Sequence, residues 1–168
     1  MVVRRAAIGD EPTLRALRLQ ALTDTPEAFG STLERELART TADWQRWMSP
    51  GATFILDASG AAKGLIAGAF DADHAGAVQL IAMWVDPALR GTGAADALVS
   101  ALLAWAAVEG ARAVRLRVVK ANERAIRFYE RHGFRASGPD IVRPRDGVLE
   151  IEMARRPVSS SDGIRMVD

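Results

Sequence analysis

The stretch Asp86-Pro-Ala-Leu-Arg-Gly-Thr-Gly-Ala-Ala-Asp-Ala-Leu98 joins an apolar segment to a long segment rich in alanine and leucine. Residues 77–85 form an apolar run that is typical of a strand, and residues 91–109 are typical of a helix. Two glycines that bracket a threonine therefore stand where a strand passes into a helix. Glycines at such a junction allow a ligand to approach the N–H groups of the first helical turn.

Three phosphate-binding motifs compete for this stretch. A Walker-type loop requires a lysine, which is missing here, and a dinucleotide fingerprint requires a third glycine where this chain has Asp96. The pattern Arg-x-x-Gly-x-Ala is complete, and it predicts a diphosphate site at the positive end of a helix dipole. Its members are Arg90, Gly91, Thr92, Gly93, Ala94 and Ala95. The alternative is an ordinary strand-to-helix turn with Arg90 in solvent.

A second cluster follows in residues 118–134. Asn122 is placed to cap a helix, and Ala125, Phe128 and Tyr129 fall on one side of that helix. Tyr129 is the only tyrosine of the chain. Taken alone, it is better explained as a half-buried aromatic side chain than as a catalytic group.

The order of predicted elements indicates an α+β fold. A short N-terminal strand and two or three helices precede three strands in an antiparallel meander, at residues 52–57, 64–70 and 77–85. A helix, a strand at 112–119, a second helix and two short strands complete the chain. Because a strand–helix–strand step needs a crossover, one parallel pair is expected inside a mostly antiparallel sheet with helices on both faces. We expect one domain over residues 1–157 and a tail over 158–168.

Composition narrows the function classes. The net charge of +1 gives no basic surface for nucleic acid, and the two histidines are too far apart to form a metal cluster. The absence of cysteine excludes a thiolate nucleophile. No apolar run suits a signal peptide or a membrane span, so we expect a cytoplasmic protein with neither a metal nor a membrane partner. A homodimer is one assembly compatible with these features.

Taken together, the two clusters resemble the GCN5-related N-acetyltransferases, the GNAT family. The motif Arg-Gly-Thr-Gly-Ala-Ala is followed about thirty residues later by Asn-x-x-Ala-x-x-Phe-Tyr-x-x-x-Gly-Phe. The resemblance covers roughly residues 2–155 and implies a parallel strand pair at a cofactor cleft. It also implies acetyl-CoA as co-substrate and direct transfer to the primary amine of a small molecule or to a protein N-terminus.

The resemblance assigns roles residue by residue. The loop from Arg90 to Ala95 would hold the diphosphate of coenzyme A, and Tyr129 would be the general acid for the leaving thiolate. The pantetheine arm would lie against a bulged strand end and the helix cap, at Met83, Trp84, Val85 and Asn122. Phe29 and Trp84 are expected to form walls of the acceptor pocket.

One position departs from the family pattern. Many members carry a glutamate where this chain has Gln79, and a neutral amide cannot accept the proton of the amine. We expect a water held by Gln79 to pass that proton to solvent, with Glu34, Glu36 or His74 as alternative bases. Both glutamates are better explained as members of a solvated helix face. A non-catalytic acyl-CoA-binding module is the competing function.

Overall fold

The computed structural model describes residues 1–156, so the predicted tail 158–168 and the domain end at residue 157 lie outside the described residues. The helices are α1 (Glu11–Asp24), α2 (Leu33–Leu37), α3 (Thr41–Met48), α4 (Ala94–Val108) and α5 (Glu123–Arg131). The strands are β1 (Val2–Arg5), β2 (Ala52–Ala58), β3 (Ala61–Phe70), β4 (Ala77–Val85), β5 (Ala113–Val119), β6 (Arg135–Ala136), β7 (Ile141–Val142) and β8 (Leu149–Arg155).

These strands form one mixed sheet in the order β1-β2-β3-β4-β5-β8-β6, with β7 paired to β8. Only β4 and β5 pair in parallel within the described residues, and the other pairs are antiparallel. The predicted α+β class, the meander and the single parallel pair are therefore confirmed.

Helices cover both faces of the sheet and enclose two cores. On one face, α1 and α3 contribute Leu14, Leu17 and Trp44, which are all buried. On the other face, α4 lies close to the sheet because Gly68 of β3 has no side chain. A Cβ at this position would lie 2.7 Å from a ring carbon of Trp105 and 3.0 Å from Leu102 of α4.

The strands β4 and β5 separate soon after they begin to pair. Their parallel register runs only from Ala77↔Ala113 to Gln79↔Arg115, although both strands continue beyond it. The sheet therefore opens between β4 and β5 beyond Gln79 and Arg115. This opening positions the site.

A bulge redirects the end of β4 just after the part of the strand that pairs with β5. Ala67 of β3 pairs with Ile81, but Leu65 already pairs with Trp84, so two residues of β4 face one of β3. One of the two, Ala82, has a φ of 57°, in the left-handed region that residues other than glycine seldom occupy. The bulge twists the last residues of β4 relative to residues 77–81 of the same strand.

Candidate active site

A cleft of about 670 Å³ lies where β4 and β5 separate. Its walls come from the end of β4, the loop before α4, the exposed side of α5 and the segment that follows α1. The segment after α1, the junction of β4 with α4, and α5 are distant in sequence and meet only through the sheet topology. The cleft contains most of the residues that the sequence singles out.

The glycine loop forms one end of the cleft. Arg90, Gly91, Gly93 and Ala95 line it. Gly91 and Gly93 have φ values of 82° and 87°, and a Cβ on either would meet nothing within 4 Å. The first N–H groups of α4 have no acceptor within the helix, so this loop presents bare backbone donors to the cleft.

Two residues of the loop motif, Thr92 and Ala94, support the turn and the helix and do not line the cleft. The hydroxyl of Thr92 donates a hydrogen bond of 2.7 Å to the carbonyl of Leu89, which closes the turn before α4. Ala94 is buried in the core beneath the first turn of the helix. Neither residue is among those that line the cleft.

The end of β4 and the start of α5 face each other across the cleft. Met83, Trp84 and Val85 line it from the bulged side, and Asn122 lines it from the other side. The side chain of Asn122 accepts a 3.1 Å hydrogen bond from the N–H of Ala125, which confirms the predicted helix cap. The cap fixes where α5 begins relative to the strand end.

Tyr129 reaches the cleft from the second turn of α5. Its residue is only 8% exposed, and its ring packs edge-on against Phe128 and Phe134 at centroid distances of 5.2 and 5.7 Å. Burial raises the pKa of the Tyr129 phenol well above its ordinary value, because a phenolate would be poorly solvated there. Tyr129 thus keeps its proton at any ordinary pH.

A carboxylate that the sequence does not single out connects the end of β4 with the glycine loop. Asp24, the last residue of α1, accepts a 2.9 Å hydrogen bond from the indole nitrogen of Trp84 and another from the guanidinium of Arg90. Burial acts to raise the pKa of Asp24, but these two hydrogen bonds outweigh it and hold the pKa below its ordinary value. Arg90 also donates to the carbonyl of Val85 at 3.2 Å.

Another wall of the cleft is formed by the Phe29 loop, defined here as residues 25–32. Thr25, Glu27 and Phe29 line the cleft from this loop. Phe29 is largely buried, and the guanidinium carbon of Arg18 lies 4.5 Å from the centroid of its ring. Glu27 is an exposed acidic residue in this wall.

Basic side chains outnumber acidic ones in the lining of the cleft. Arg90, Arg124 and Arg131 line it together with Glu27 and Asp96, and Asp96 lies 2.9 Å from a ring nitrogen of His132. Guanidinium groups that share a cleft with a helix N-terminus suit a polyanionic ligand such as a nucleotide diphosphate.

Gln79 and the alternative bases lie elsewhere. Gln79 belongs to the part of β4 that pairs with β5, and it does not line the cleft. Glu36 is buried and ion-paired with Arg39 at 2.6 Å and Arg18 at 3.7 Å, so the expectation of a solvated glutamate was wrong at this position. Glu34 stays on the surface of α2, and the Nδ1 atom of His74 lies 3.2 Å from Asp71 in the turn between β3 and β4.

Two further features concern metals and membranes. Within residues 1–156, no group of three acidic or histidine side chains is arranged to hold a metal ion. In the same part of the chain, none of the helices combines the length and the apolar character that a bilayer crossing requires.

Comparison with known proteins establishes the family. Residues 17–134 match the family model described as the acetyltransferase (GNAT) family. The chain therefore belongs to the GNAT acetyltransferase family, and the resemblance noted in the sequence is confirmed.

Two relatives extend this finding. The mycothiol acetyltransferase of Thermobispora bispora is 34% identical over 137 residues, which are 79% of this chain and 45% of that protein. The GCN5-related N-acetyltransferase of Kribbella flavida superimposes with a TM-score of 0.72 at 25% identity, over 92% of this chain and 96% of that one. The chain spans less than half the length of the curated relatives it matches.

A third comparison concerns the cofactor. The structure of yncA, a putative acetyltransferase from Salmonella typhimurium with its cofactor acetyl-CoA, covers 98% of its own chain and 100% of this one. The TM-score is 0.74 and the identity is 18%, so the similarity is one of fold.

Proposed function

We propose that this protein is an acetyl-CoA-dependent N-acetyltransferase that moves the acetyl group to the primary amine of a small molecule. The observation that carries the proposal is the meeting, in one cleft, of a buried tyrosine and an open glycine loop at the start of a helix. A protein N-terminus is the alternative acceptor.

The residues of the cleft suit coenzyme A. The N–H groups at the start of α4 and the guanidinium of Arg90 are donors of the kind that a diphosphate requires. Arg124 and Arg131 add positive charge along the same wall. Met83 and Val85 offer an apolar strand end whose backbone is free of β5.

Bound acetyl-CoA would supply the acetyl group as a thioester. On our proposal, a backbone N–H left unpaired by the bulge donates a hydrogen bond to the acetyl oxygen, where negative charge develops. Tyr129 holds the proton that the departing thiolate takes up as the new carbon–nitrogen bond forms, and it regains a proton from solvent. The proton of the amine passes to water, since Gln79 cannot accept it.

The Phe29 loop supports an amine as acceptor. Glu27 is an exposed acidic residue that lines the cleft, and its negative charge would attract an alkylammonium ion from solvent. Phe29 and Trp84 would flank the carbon skeleton of the acceptor. A neutral acceptor gains nothing from this charge.

Release of free thiol from acetyl-CoA tests the proposal directly. The purified protein is given a panel of small primary amines and short peptides with free N-termini, and the acetylated products are identified by mass spectrometry. Thiol release with small amines supports the proposal, whereas release only with peptides selects the alternative acceptor. Tight coenzyme A binding without thiol release from any amine would establish the non-catalytic binding module instead.

A further inference from the structure

The Phe29 loop is held by two arginines from the turn between β7 and β8. Arg143 donates a 3.0 Å hydrogen bond to the carbonyl of Glu27, and Arg145 donates a 3.0 Å hydrogen bond to the carbonyl of Ser31. These pairs are 116 and 114 residues apart in the chain. The two carbonyls stand on either side of Phe29, so the loop is fastened both before and after its aromatic residue.

The arginines are themselves fixed by carboxylates. Arg143, whose side chain is only 4% exposed, donates to both oxygens of Asp146 at 2.8 and 2.9 Å and to Glu150 at 3.2 Å. Arg145 donates to Asp146 at 2.8 Å. Two positive and two negative charges therefore balance, and neither guanidinium is free to bind an external anion.

The ring of Phe29 is held from a third direction. Arg18 stacks beneath it, and the ion pair of Arg18 with Glu36 ties that contact to α2. A side chain fixed in this way has little freedom to rotate when an acceptor enters. The wall of the cleft that Phe29 forms is therefore shaped by residues that do not themselves line the cleft.

We propose that Arg143 and Arg145 are positioning residues that fix the Phe29 loop and thereby limit the size of acceptor that the cleft admits. The inference rests on the proposed function, because Phe29 is an acceptor wall only if an amine is acetylated. Neither arginine touches the reacting atoms. Both act through the backbone of the loop.

Arg145→Met is the test variant, since Arg145 is partly exposed and Arg143 keeps its own pairs with Asp146 and Glu150. Arg145→Lys keeps a donor for Ser31. Arg46→Met is the matched control, because it also removes an arginine paired with an aspartate, Asp43, but in α3. For each variant, KM and kcat are measured with a small and a bulky amine, and coenzyme A affinity is measured by calorimetry.

Loss of one hydrogen bond predicts a rise of about 2- to 10-fold in the KM of the small amine for Arg145→Met. The preference for the small over the bulky amine should shrink. Coenzyme A affinity should stay unchanged, and Arg145→Lys should recover most of the loss. An Arg145→Met variant with the acceptor KM and selectivity of the wild type would overturn the inference.

Amide hydrogen exchange separates failure of this inference from failure of the proposed function. If the Phe29 loop is fastened by Arg145, the amides of residues 28–31 exchange faster in Arg145→Met than in Arg46→Met, whether or not any amine is acetylated. Equal exchange in the two variants overturns the positioning role. Absence of acetylation with faster exchange refutes only the enzymatic proposal.

Discussion

The indole nitrogen of Trp84 donates a 2.9 Å hydrogen bond to the carboxylate of Asp24, although 60 residues separate them in the chain. The same carboxylate accepts a hydrogen bond from Arg90. One residue at the end of α1 thus links the bulged strand to the glycine loop. Because Arg90 has five N–H donors, it can keep this contact and still face a diphosphate.

We expect Asp24 to orient Arg90 for coenzyme A. On its own, Arg90→Ala should weaken coenzyme A binding by about 10-fold, the effect of one charged hydrogen bond. In an Asp24→Asn background the same substitution should cost much less, since Arg90 has already lost its fixed orientation. Calorimetry on the four proteins of this double-mutant cycle measures the coupling. If the effects of the two substitutions on coenzyme A affinity are additive, the orienting role of Asp24 is ruled out. Asp86→Asn is the control, because it disturbs the neighbouring ion pair with Lys63.

The glycine loop should tolerate loss of charge better than gain of a side chain. Gly93→Val places a β-branched residue at a φ of 87° and blocks the start of α4, so coenzyme A affinity should fall by well over the ~10-fold expected for Arg90→Ala. Gly110→Val also introduces valine at a positive φ, 71°, but at the far end of α4, and it controls for lost stability. Equal coenzyme A affinity in Gly93→Val and the wild type would disprove the diphosphate assignment.

Tyr129 should be needed for transfer and not for binding. Tyr129→Phe keeps the ring packing against Phe128 and Phe134 and removes only the acidic proton. We expect unchanged coenzyme A affinity and a fall of roughly 10²–10⁴-fold in kcat, the usual contribution of a general acid. Stopped-flow or endpoint thiol detection gives the rate. A variant with normal turnover would reassign Tyr129 to packing.

The features that sequence predicts well are those with a local cause. The helix cap depends on the side chain of Asn122, which accepts from the N–H of Ala125 only three residues later. The glycine loop depends on backbone conformations that only glycine adopts readily. The crossover between β4 and β5 follows from the alternation of element types. Each of these can be read within a short window of the chain.

The features that sequence misses depend on contacts between distant segments. Glu36 looks solvated because α2 has only five residues, too few to show which side is buried, yet α1 covers it. Asp24 and Arg143 owe their roles to partners that the sheet brings close. The two-residue strand β7 is likewise too short to give a periodic signal.

Glu27 should act on the acceptor and not on the cofactor. Glu27→Gln removes a negative charge from a residue that lines the cleft, so the KM of a cationic amine should rise a few-fold, as expected for an exposed charge pair. The effect should vanish above the pKa of the amine, where the acceptor is neutral. Glu34→Gln, which changes an exposed glutamate of α2, is the matched control. A fall in kcat with no change in KM would contradict this role.

The pH profile tests how the amine loses its proton. Burial raises the pKa of Tyr129, so its active, protonated form is present throughout the neutral and alkaline range and is lost only well above pH ~10. A falling limb from Tyr129 is therefore not expected below that pH. A rising limb must then come from the amine or from a protein base.

The pKa of the acceptor amine separates these two sources. If water carries the proton away, kcat/KM rises about tenfold per pH unit up to the pKa of the acceptor itself, near 10.4 for an ordinary alkylamine. An acceptor whose amine pKa is two units lower should move the limb down by about two units. Gln79→Glu and Gln79→Ala should both leave the position of the limb unchanged, because Gln79 does not line the cleft. A limb fixed near pH 6–7 for every amine would contradict proton loss through water and identify a base in the protein.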